Sequence, residues 1–97
     1  MTRLAVIATM KVAPGTRDES VRQLVAHGER CRAGEPGTLM FEVLVPHEEA
    51  DTIMLYEVYE DEDAFKAHLS GDSMAQVKRD TEGMLVSLTG VRCRLAG

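Results

Sequence analysis

The sequence has few of the features that mark several large functional classes. It has no tryptophan, two tyrosines, two phenylalanines and two cysteines, Cys31 and Cys93. Two cysteines without CxxC spacing make neither a disulfide framework nor a metal or redox motif, so we interpret both as reduced thiols of a cytoplasmic protein. The apolar run near the N-terminus, residues 4–8, is far shorter than the roughly 20 residues of a membrane span. We therefore expect no membrane partner.

Charge and motif content exclude further classes. Eleven Lys and Arg are scattered among sixteen Asp and Glu, for a formal net charge of −5, so no basic stripe exists to bind a phosphate backbone. Neither GxGxxG nor GxxxxGK[ST] occurs, and no hydrolase signature is present. We predict no nucleic-acid partner and no cofactor.

The length, 97 residues, allows one domain over residues 1–97 with one modest core. β-branched and apolar runs predict four strands, over residues 3–12, 38–46, 52–60 and 84–95. A helix is predicted from Thr16 to a C-cap at Gly34, and a broken helix from Asp61, interrupted near residues 70–72. Thr16 with Glu19, and Ser73 with Gln76, match the capping-box pattern at helix starts.

The predicted order is strand, helix, strand, strand, broken helix, strand. This order is the split βαβ arrangement of an α+β, ferredoxin-like fold, with a four-stranded antiparallel sheet and its helices on one face. The inward side of the first helix should carry Val21, Leu24, Val25, Gly28 and Cys31. His27 is expected on the flank of that helix.

The strands are apolar on both faces. Val6, Ala8 and Met10 alternate with Ala5 and Ile7 in the first strand, although only one face can meet the helices. A second copy packed sheet to sheet would cover the other face, in an interface of roughly 2,000 Å² or more. We predict a homodimer through the open sheet face. The alternative is a monomer that tolerates an apolar surface.

Several segments together resemble one family. They are Glu35-Pro36-Gly37, Phe41 to Leu44, Leu55 to Tyr59, and Asp61 with Ala64 to Leu69. This pattern, across nearly the whole chain, is similar to that of antibiotic biosynthesis monooxygenase (ABM) domains. The resemblance implies a dimeric α/β barrel with a small apolar cavity between sheet and helices. Members include cofactor-independent monooxygenases of quinols and polyketide phenols, haem-degrading enzymes, and an isomerase-like enzyme.

Two departures from the family pattern narrow this expectation. Quinol monooxygenase-like members continue with a second His and a Phe where this chain has Ser73 and Met74, so one cavity imidazole is missing at that place. Haem degraders share an Asn and a Trp at the positions of Ala8 and Tyr59, so haem breakdown is disfavoured.

His68 is the first candidate for chemistry. It lies at the margin of the apolar stripe formed by Phe65 and Leu69, and a partly buried imidazole can accept the proton of a phenol or quinol before oxidation by O2. The alternative is a His hydrogen-bonded at a helix end near the surface. The three histidines show no metal-ligand spacing, so we predict no metal site.

Glu57 and Tyr59 share one face of the third strand. The resemblance, in which Tyr59 stands at the position of the cavity Trp of some family members, assigns that face to the helices. Glu57 could orient His68 or accept a substrate hydroxyl, or instead pair with Arg92 or Arg94. Tyr59 could donate to an oxyanion or only wall the core. The predicted pocket walls are Phe41, Phe65, Met10, Met74 and Met84. The alternative for each is packing in the hydrophobic core without contact to a ligand.

The leading hypothesis is a cofactor-independent monooxygenase that oxidises a small aromatic quinol or phenol with O2, with His68, Glu57 and Tyr59 as catalytic residues. Two alternatives remain open at this stage. One is a non-catalytic dimer that binds a small molecule. The other is an isomerase of a small oxygenated carbonyl compound, in which the same base would move protons.

Overall fold

The computed structural model describes residues 2–97, in which four antiparallel strands form one layer and three helices form the other. The elements follow the predicted order: β1 (Leu4–Val12), α1 (Arg17–Gly34), β2 (Thr38–Leu44), β3 (Thr52–Tyr59), α2 (Glu62–Leu69), α3 (Asp72–Asp80) and β4 (Leu85–Arg94). The sheet order is β2-β3-β1-β4. The α+β, ferredoxin-like prediction is confirmed. No helix within residues 2–97 is long and apolar enough to cross a membrane.

Neither predicted capping box forms. The Thr16 hydroxyl donates to the Ala13 carbonyl at 2.7 Å, and Glu19 accepts from Arg22 and Gln23 instead. Helix α3 begins one residue before Ser73, with Gly71 at its N-cap, so the Ser73 side chain is free for another contact. Asp61 does cap α2, because its Oδ1 accepts from the Ala64 amide at 2.8 Å.

The buried stripe of α1 differs from the prediction. Its buried residues are Ser20, Leu24, His27, Gly28 and Cys31, while Val25 is exposed. The correct stripe follows the same helical spacing but is rotated toward His27. The helix also continues through Gly34, and Glu35 takes the C-cap position.

Two glycines allow the close approaches that shape the site. A Cβ on Gly28 would lie 2.6 Å from Cδ1 of Phe41, so α1 packs directly on β2. A Cβ on Gly37 would lie 2.4 Å from the Ala64 side chain, so the turn before β2 packs against α2. The first contact holds His27 of α1 close to β2, and the second holds Glu35 of the turn close to α2.

The face of the sheet away from the helices is apolar and open. Ile7 pairs in register with Tyr56 on β3 and Val91 on β4, which places the three side chains on that face. Ile7 is 42% exposed and Val91 is 62% exposed. Ala5 and Val58, further along the same face, are buried. The predicted two-sided apolar character of the strands is confirmed.

Candidate functional site

A cavity of about 380 Å³ lies between the helices and the sheet. Four predicted wall residues, Phe41, Phe65, Met10 and Met74, line it. Met84 does not: its sulfur accepts from the Ser20 hydroxyl at 3.4 Å, outside the lining. The cavity extends to β4, which contributes Leu88 among other residues exposed along that strand.

His68 lies on the cavity with its Nδ1 atom fixed. Its side chain is almost fully buried, and Nδ1 is 2.9 Å from Oε1 of Glu35. The same oxygen accepts from the Thr38 hydroxyl at 2.7 Å. Burial by itself would raise the Glu35 pKa, but the hydrogen bonds from Thr38 and His68 outweigh it and lower that pKa. Glu35 is therefore an ionised acceptor.

The other nitrogen of His68 is available to a ligand. Nε2 is 3.9 Å from Oε1 of Glu57, too far for a hydrogen bond, and it has no hydrogen-bond partner within residues 2–97. His68 and Glu57 thus line the same cavity without closing on each other. A proton-bearing group of a bound molecule can approach both.

Glu57 and Tyr59 point to the helix side, as predicted, but they differ in access. Glu57 lines the cavity, whereas Tyr59 is fully buried outside the lining and donates its hydroxyl to Glu57. Burial raises the pKa of Glu57, and the Tyr59 hydrogen bond and His68 only partly oppose this. Arg92 pairs with Glu62, so the alternative ion pair from Arg92 to Glu57 is not formed.

A buried Tyr59 cannot reach a substrate oxyanion directly. Burial, and next the charge of Glu57, raise the pKa of its hydroxyl, so Tyr59 stays a neutral donor. Its ring packs on Phe65 and His68, at centroid distances of 5.0 and 5.1 Å. Tyr59 therefore holds Glu57 rather than a ligand.

His27 is the site residue that the sequence analysis placed elsewhere. It is buried, lines the cavity, and its ring centroid is 5.2 Å from that of His68. Its Nδ1 lies 2.9 Å from the Ser73 hydroxyl, which accepts from Nε of Arg30 at 2.9 Å. Burial, then the charges of His68 and Arg30, lower the His27 pKa to about 4. His27 is therefore neutral near pH 7.

The thiol of Cys31 packs against the same imidazole. Its sulfur is 3.6 and 3.7 Å from the two ring nitrogens of His27, so it is not aligned with either one alone. Burial raises the pKa of Cys31 to about 11, which keeps it a thiol. His27, Cys31 and His68 place ligand atoms within 4.8 Å of one another, a grouping that could hold a metal ion.

Neither His27 nor Glu35 was among the predicted site residues. His27 fits the helical stripe of Leu24 and Cys31 through its i+3 and i−4 spacing, and that spacing was the signal available. Glu35 was noted only as part of a turn. No local pattern links it to His68, 33 residues later.

Comparisons with known proteins agree with this architecture. The family model described as antibiotic biosynthesis monooxygenase matches residues 3–80. Among curated proteins, no sequence matches this one significantly. The sequence match therefore rests on the family model, which spans most of the chain.

Solved structures are similar over nearly their whole length. One from Caulobacter crescentus CB15, provisionally described as an antibiotic biosynthesis monooxygenase, is 22% identical with a TM-score of 0.90, covering 99% of this chain and 92% of its own. A protein from Chloroflexus aurantiacus J-10-fl with the same provisional description is 24% identical, with a TM-score of 0.86 and coverages of 98% and 94%. At this identity the likeness shows the shared fold.

Proposed function

The chain belongs to the antibiotic biosynthesis monooxygenase family, and from this premise we propose that it oxidises a small aromatic quinol or phenol with O2, without metal or flavin. The observation that carries the proposal is His68. Its Nδ1 is held by an ionised carboxylate, and its Nε2 remains available at an apolar cavity. A cavity of about 380 Å³ suits a small aromatic molecule.

In the proposed reaction, Nε2 of His68 takes the proton of the substrate hydroxyl. The resulting anion is electron-rich and passes one electron to O2, and the two radicals combine at a ring carbon that carries hydrogen. Breaking the O–O bond leaves one oxygen atom on that carbon as a quinone carbonyl. The other oxygen leaves as water with two substrate hydrogens, so the substrate itself supplies both electrons.

The neighbouring groups support the proton transfer. Glu35 stabilises the imidazolium that forms on His68, because the carboxylate sits at Nδ1. Glu57, oriented by Tyr59, offers a second acceptor to a substrate hydroxyl. The apolar walls Phe41 and Phe65 exclude water from the anion.

We also propose that the protein acts as a cytoplasmic homodimer through the open sheet face. The exposed apolar side chains Ile7, Val91 and Met40 favour this, because monomers rarely expose large contiguous apolar patches. A two-fold interface would bring the same patch together with itself.

One observation favours a second candidate, an isomerase of a small oxygenated carbonyl compound. His68 and Glu57 are two proton acceptors on one cavity, and such a pair can remove a proton at one carbon and return it at another. This reaction needs no O2. A dimer that only binds a small molecule would require neither group.

The test is oxygen consumption by chelator-treated protein with a panel of naphthoquinols and anthrones. We expect uptake matched by quinone formation, and a decrease of about 10² to 10⁴ in rate for His68→Ala. His47→Ala, in an exposed turn, is the matched control. Oxygen uptake by His68→Ala at the wild-type rate would refute the role of His68 as the base. No uptake with any compound of the panel would refute the proposed oxidation.

Product analysis under nitrogen separates the remaining candidates. Turnover of a carbonyl substrate without O2 would support the isomerase. Loss of uptake after chelation, restored by one metal ion, would contradict the metal-free proposal and indicate that the group of His27, Cys31 and His68 binds metal.

A further inference from the structure

Two imidazoles line one cavity, but the groups that hydrogen-bond to their Nδ1 atoms differ in kind. His68 is 1% exposed and hydrogen-bonds to the carboxylate of Glu35. His27 is 2% exposed and hydrogen-bonds to Ser73, beside the guanidinium of Arg30. A neutral imidazole carries its proton on only one of its two nitrogens. An acceptor at Nδ1 favours the proton on Nδ1, whereas a donor at Nδ1 favours the proton on Nε2.

The carboxylate fixes the proton of His68. An ionised carboxylate only accepts hydrogen bonds, so the Glu35 contact requires a proton on Nδ1 of His68. In the neutral ring, Nε2 then carries a lone pair. That nitrogen can accept a proton from a ligand and cannot donate one.

The hydroxyl of Ser73 fixes the proton of His27 in the opposite way. Arg30 has no acceptor atom, so its Nε donates to the Ser73 oxygen. The single hydroxyl proton of Ser73 then needs an acceptor, and Nδ1 of His27 at 2.9 Å is a much stronger one than the nearby sulfur of Cys31. His27 therefore accepts at Nδ1 and carries its proton on Nε2.

We propose that His27 is a second catalytic residue, whose Nε2–H donates a hydrogen bond to the oxygen of a bound phenolate while Nε2 of His68 receives the phenol proton. The role in turnover rests on the proposed function, but the opposite tautomers and the phenolate site do not. One proton moves, from the phenol oxygen to His68. His27 keeps its own proton and stabilises the negative charge that is left.

The environment of His27 suits a donor that must stay neutral. Burial of the ring, and then the charges of His68 and Arg30, disfavour a second proton on it. A neutral donor beside a cationic His68 avoids placing two like charges with ring centroids 5.2 Å apart. The two rings therefore divide the roles of base and oxyanion donor between them.

The first test is ¹⁵N NMR of histidine-labelled protein near pH 8, where ordinary imidazoles are neutral. The chain has three histidines, so His27→Gln, His47→Gln and His68→Gln assign every signal. We expect the proton on Nε2 in His27 and on Nδ1 in His68. The same tautomer in both rings would overturn the proposal, whether or not any substrate is known.

The second test is binding of 4-nitrophenol, whose phenol and phenolate forms differ in absorbance and which needs no turnover. We expect wild-type protein to prefer the phenolate, and His27→Leu to reduce that preference by about tenfold or more. His47→Leu should leave it unchanged. An equal preference in wild-type protein and His27→Leu, or none in wild-type protein, would overturn the donor role.

Ser73→Ala provides a milder variant if His27→Leu does not fold. It removes the hydroxyl that fixes Nδ1, so His27 should populate both tautomers and the phenolate preference should fall. Ser70→Ala, at the exposed C-cap of α2, should change neither. Opposite tautomers and phenolate binding in a protein that consumes no O2 would support His27 as donor while refuting the oxidation.

Discussion

The two faces of the sheet differ in the side chains that they carry and in how far those side chains are buried. On the helix side, Glu57 and the neighbouring His68 are buried, and each has a side-chain hydrogen-bond partner. On the open side, Ile7 and Val91 are apolar and exposed. Successive residues of a strand point to opposite faces, so in β3 a single step from Glu57 to Val58 passes from one region to the other.

In the proposed dimer this difference would separate the residues for chemistry from the residues for assembly within the same strands. Polar groups tolerate burial on the helix side because each has a hydrogen-bond partner: Tyr59 of β3 for Glu57, the turn residue Glu35 for His68, and Ser73 of α3 for His27. Within residues 2–97 the open side has no such covering element, so its apolar side chains are exposed, and the proposed dimer would cover them. Changes on one face should therefore alter oligomeric state, and changes on the other should alter activity and pH response.

The largest expected effect comes from Ile7→Glu on the open face. In a two-fold interface one substitution buries two charges, and leaving a buried charge unpaired costs about 3–5 kcal/mol. We expect the dimer to weaken by a factor of about 10³ or more and the mass in solution to halve, by light scattering or analytical ultracentrifugation.

The matched control for this charge is Val25→Glu. Val25 is exposed by 43%, against 42% for Ile7, but it lies on α1. It should leave the mass unchanged. A wild-type mass already equal to one chain, or an unaltered dimer in Ile7→Glu, would show that the open face is not the interface.

A smaller effect is expected from acid on the helix side, through His27. Its pKa is about 4 when folded and 6.5 in the reference state, so the unfolded chain binds the proton more tightly. The contribution of His27 to the free energy of unfolding is therefore fully present above about pH 6.5. It decreases by about 3 kcal/mol as the pH falls toward 4. The groups facing His27 are His68, Arg30, Ser73 and Cys31, with the carboxylate of Glu35 acting on its charge.

Denaturant unfolding between pH 4 and 8 measures this loss. His27→Gln should flatten the curve over that window, and His47→Gln should not. The Glu57 pKa is raised, which favours the folded state at low pH, while that of Glu35 is lowered, which acts in the opposite sense. Glu57 and Glu35 are present in wild-type protein and in both variants, so the difference between the stability curves of wild-type protein and His27→Gln reports on His27. Identical slopes would mean that its environment is not as described.

The sequence was sufficient where one short pattern decides the outcome. Period-two alternation placed Glu57 and Tyr59 on one face of β3, and the resemblance to the family assigned that face to the helices. Helical spacing placed His68 at the margin of the apolar stripe beside Phe65, and the structure has it on the cavity. The fold followed from the order of elements and their turns. The positions of Glu57, Tyr59 and His68 follow from periodicity within one element, whereas the sheet order follows from the split βαβ arrangement as a whole.

The parts that failed depend on contacts between distant segments. His27 was assigned to a flank because the stripe was centred on apolar residues, yet its partner Ser73 is 46 positions away. The imidazole that appeared to be missing at the position of Ser73 is supplied from α1, and Ser73 holds it. Met84 was expected in the cavity, but its sulfur contacts Ser20 in the first turn of α1, 64 positions away in the sequence.

The smallest effect should come from Glu35→Gln, which tests positioning rather than proton transfer. Glutamine keeps the shape and an oxygen that can accept from Thr38 and His68, but it lacks the charge that stabilises an imidazolium. Because only the charged form of His68 loses support, kcat should fall about tenfold with KM nearly unchanged. Glu29→Gln on the exposed side of α1 is the matched control.

The side-chain amide that Glu35→Gln introduces has a second consequence, which would not be expected if Glu35 had only a structural role. Its nitrogen can donate to Nδ1 of His68, so the ring can invert and present a proton, instead of a lone pair, at Nε2. We expect the ¹⁵N spectrum of Glu35→Gln to show both tautomers for His68, with His27 unchanged. An unchanged His68 tautomer together with a normal kcat would remove Glu35 from the mechanism. Mixed tautomers would show that a turn 33 residues before His68 sets its reactive nitrogen.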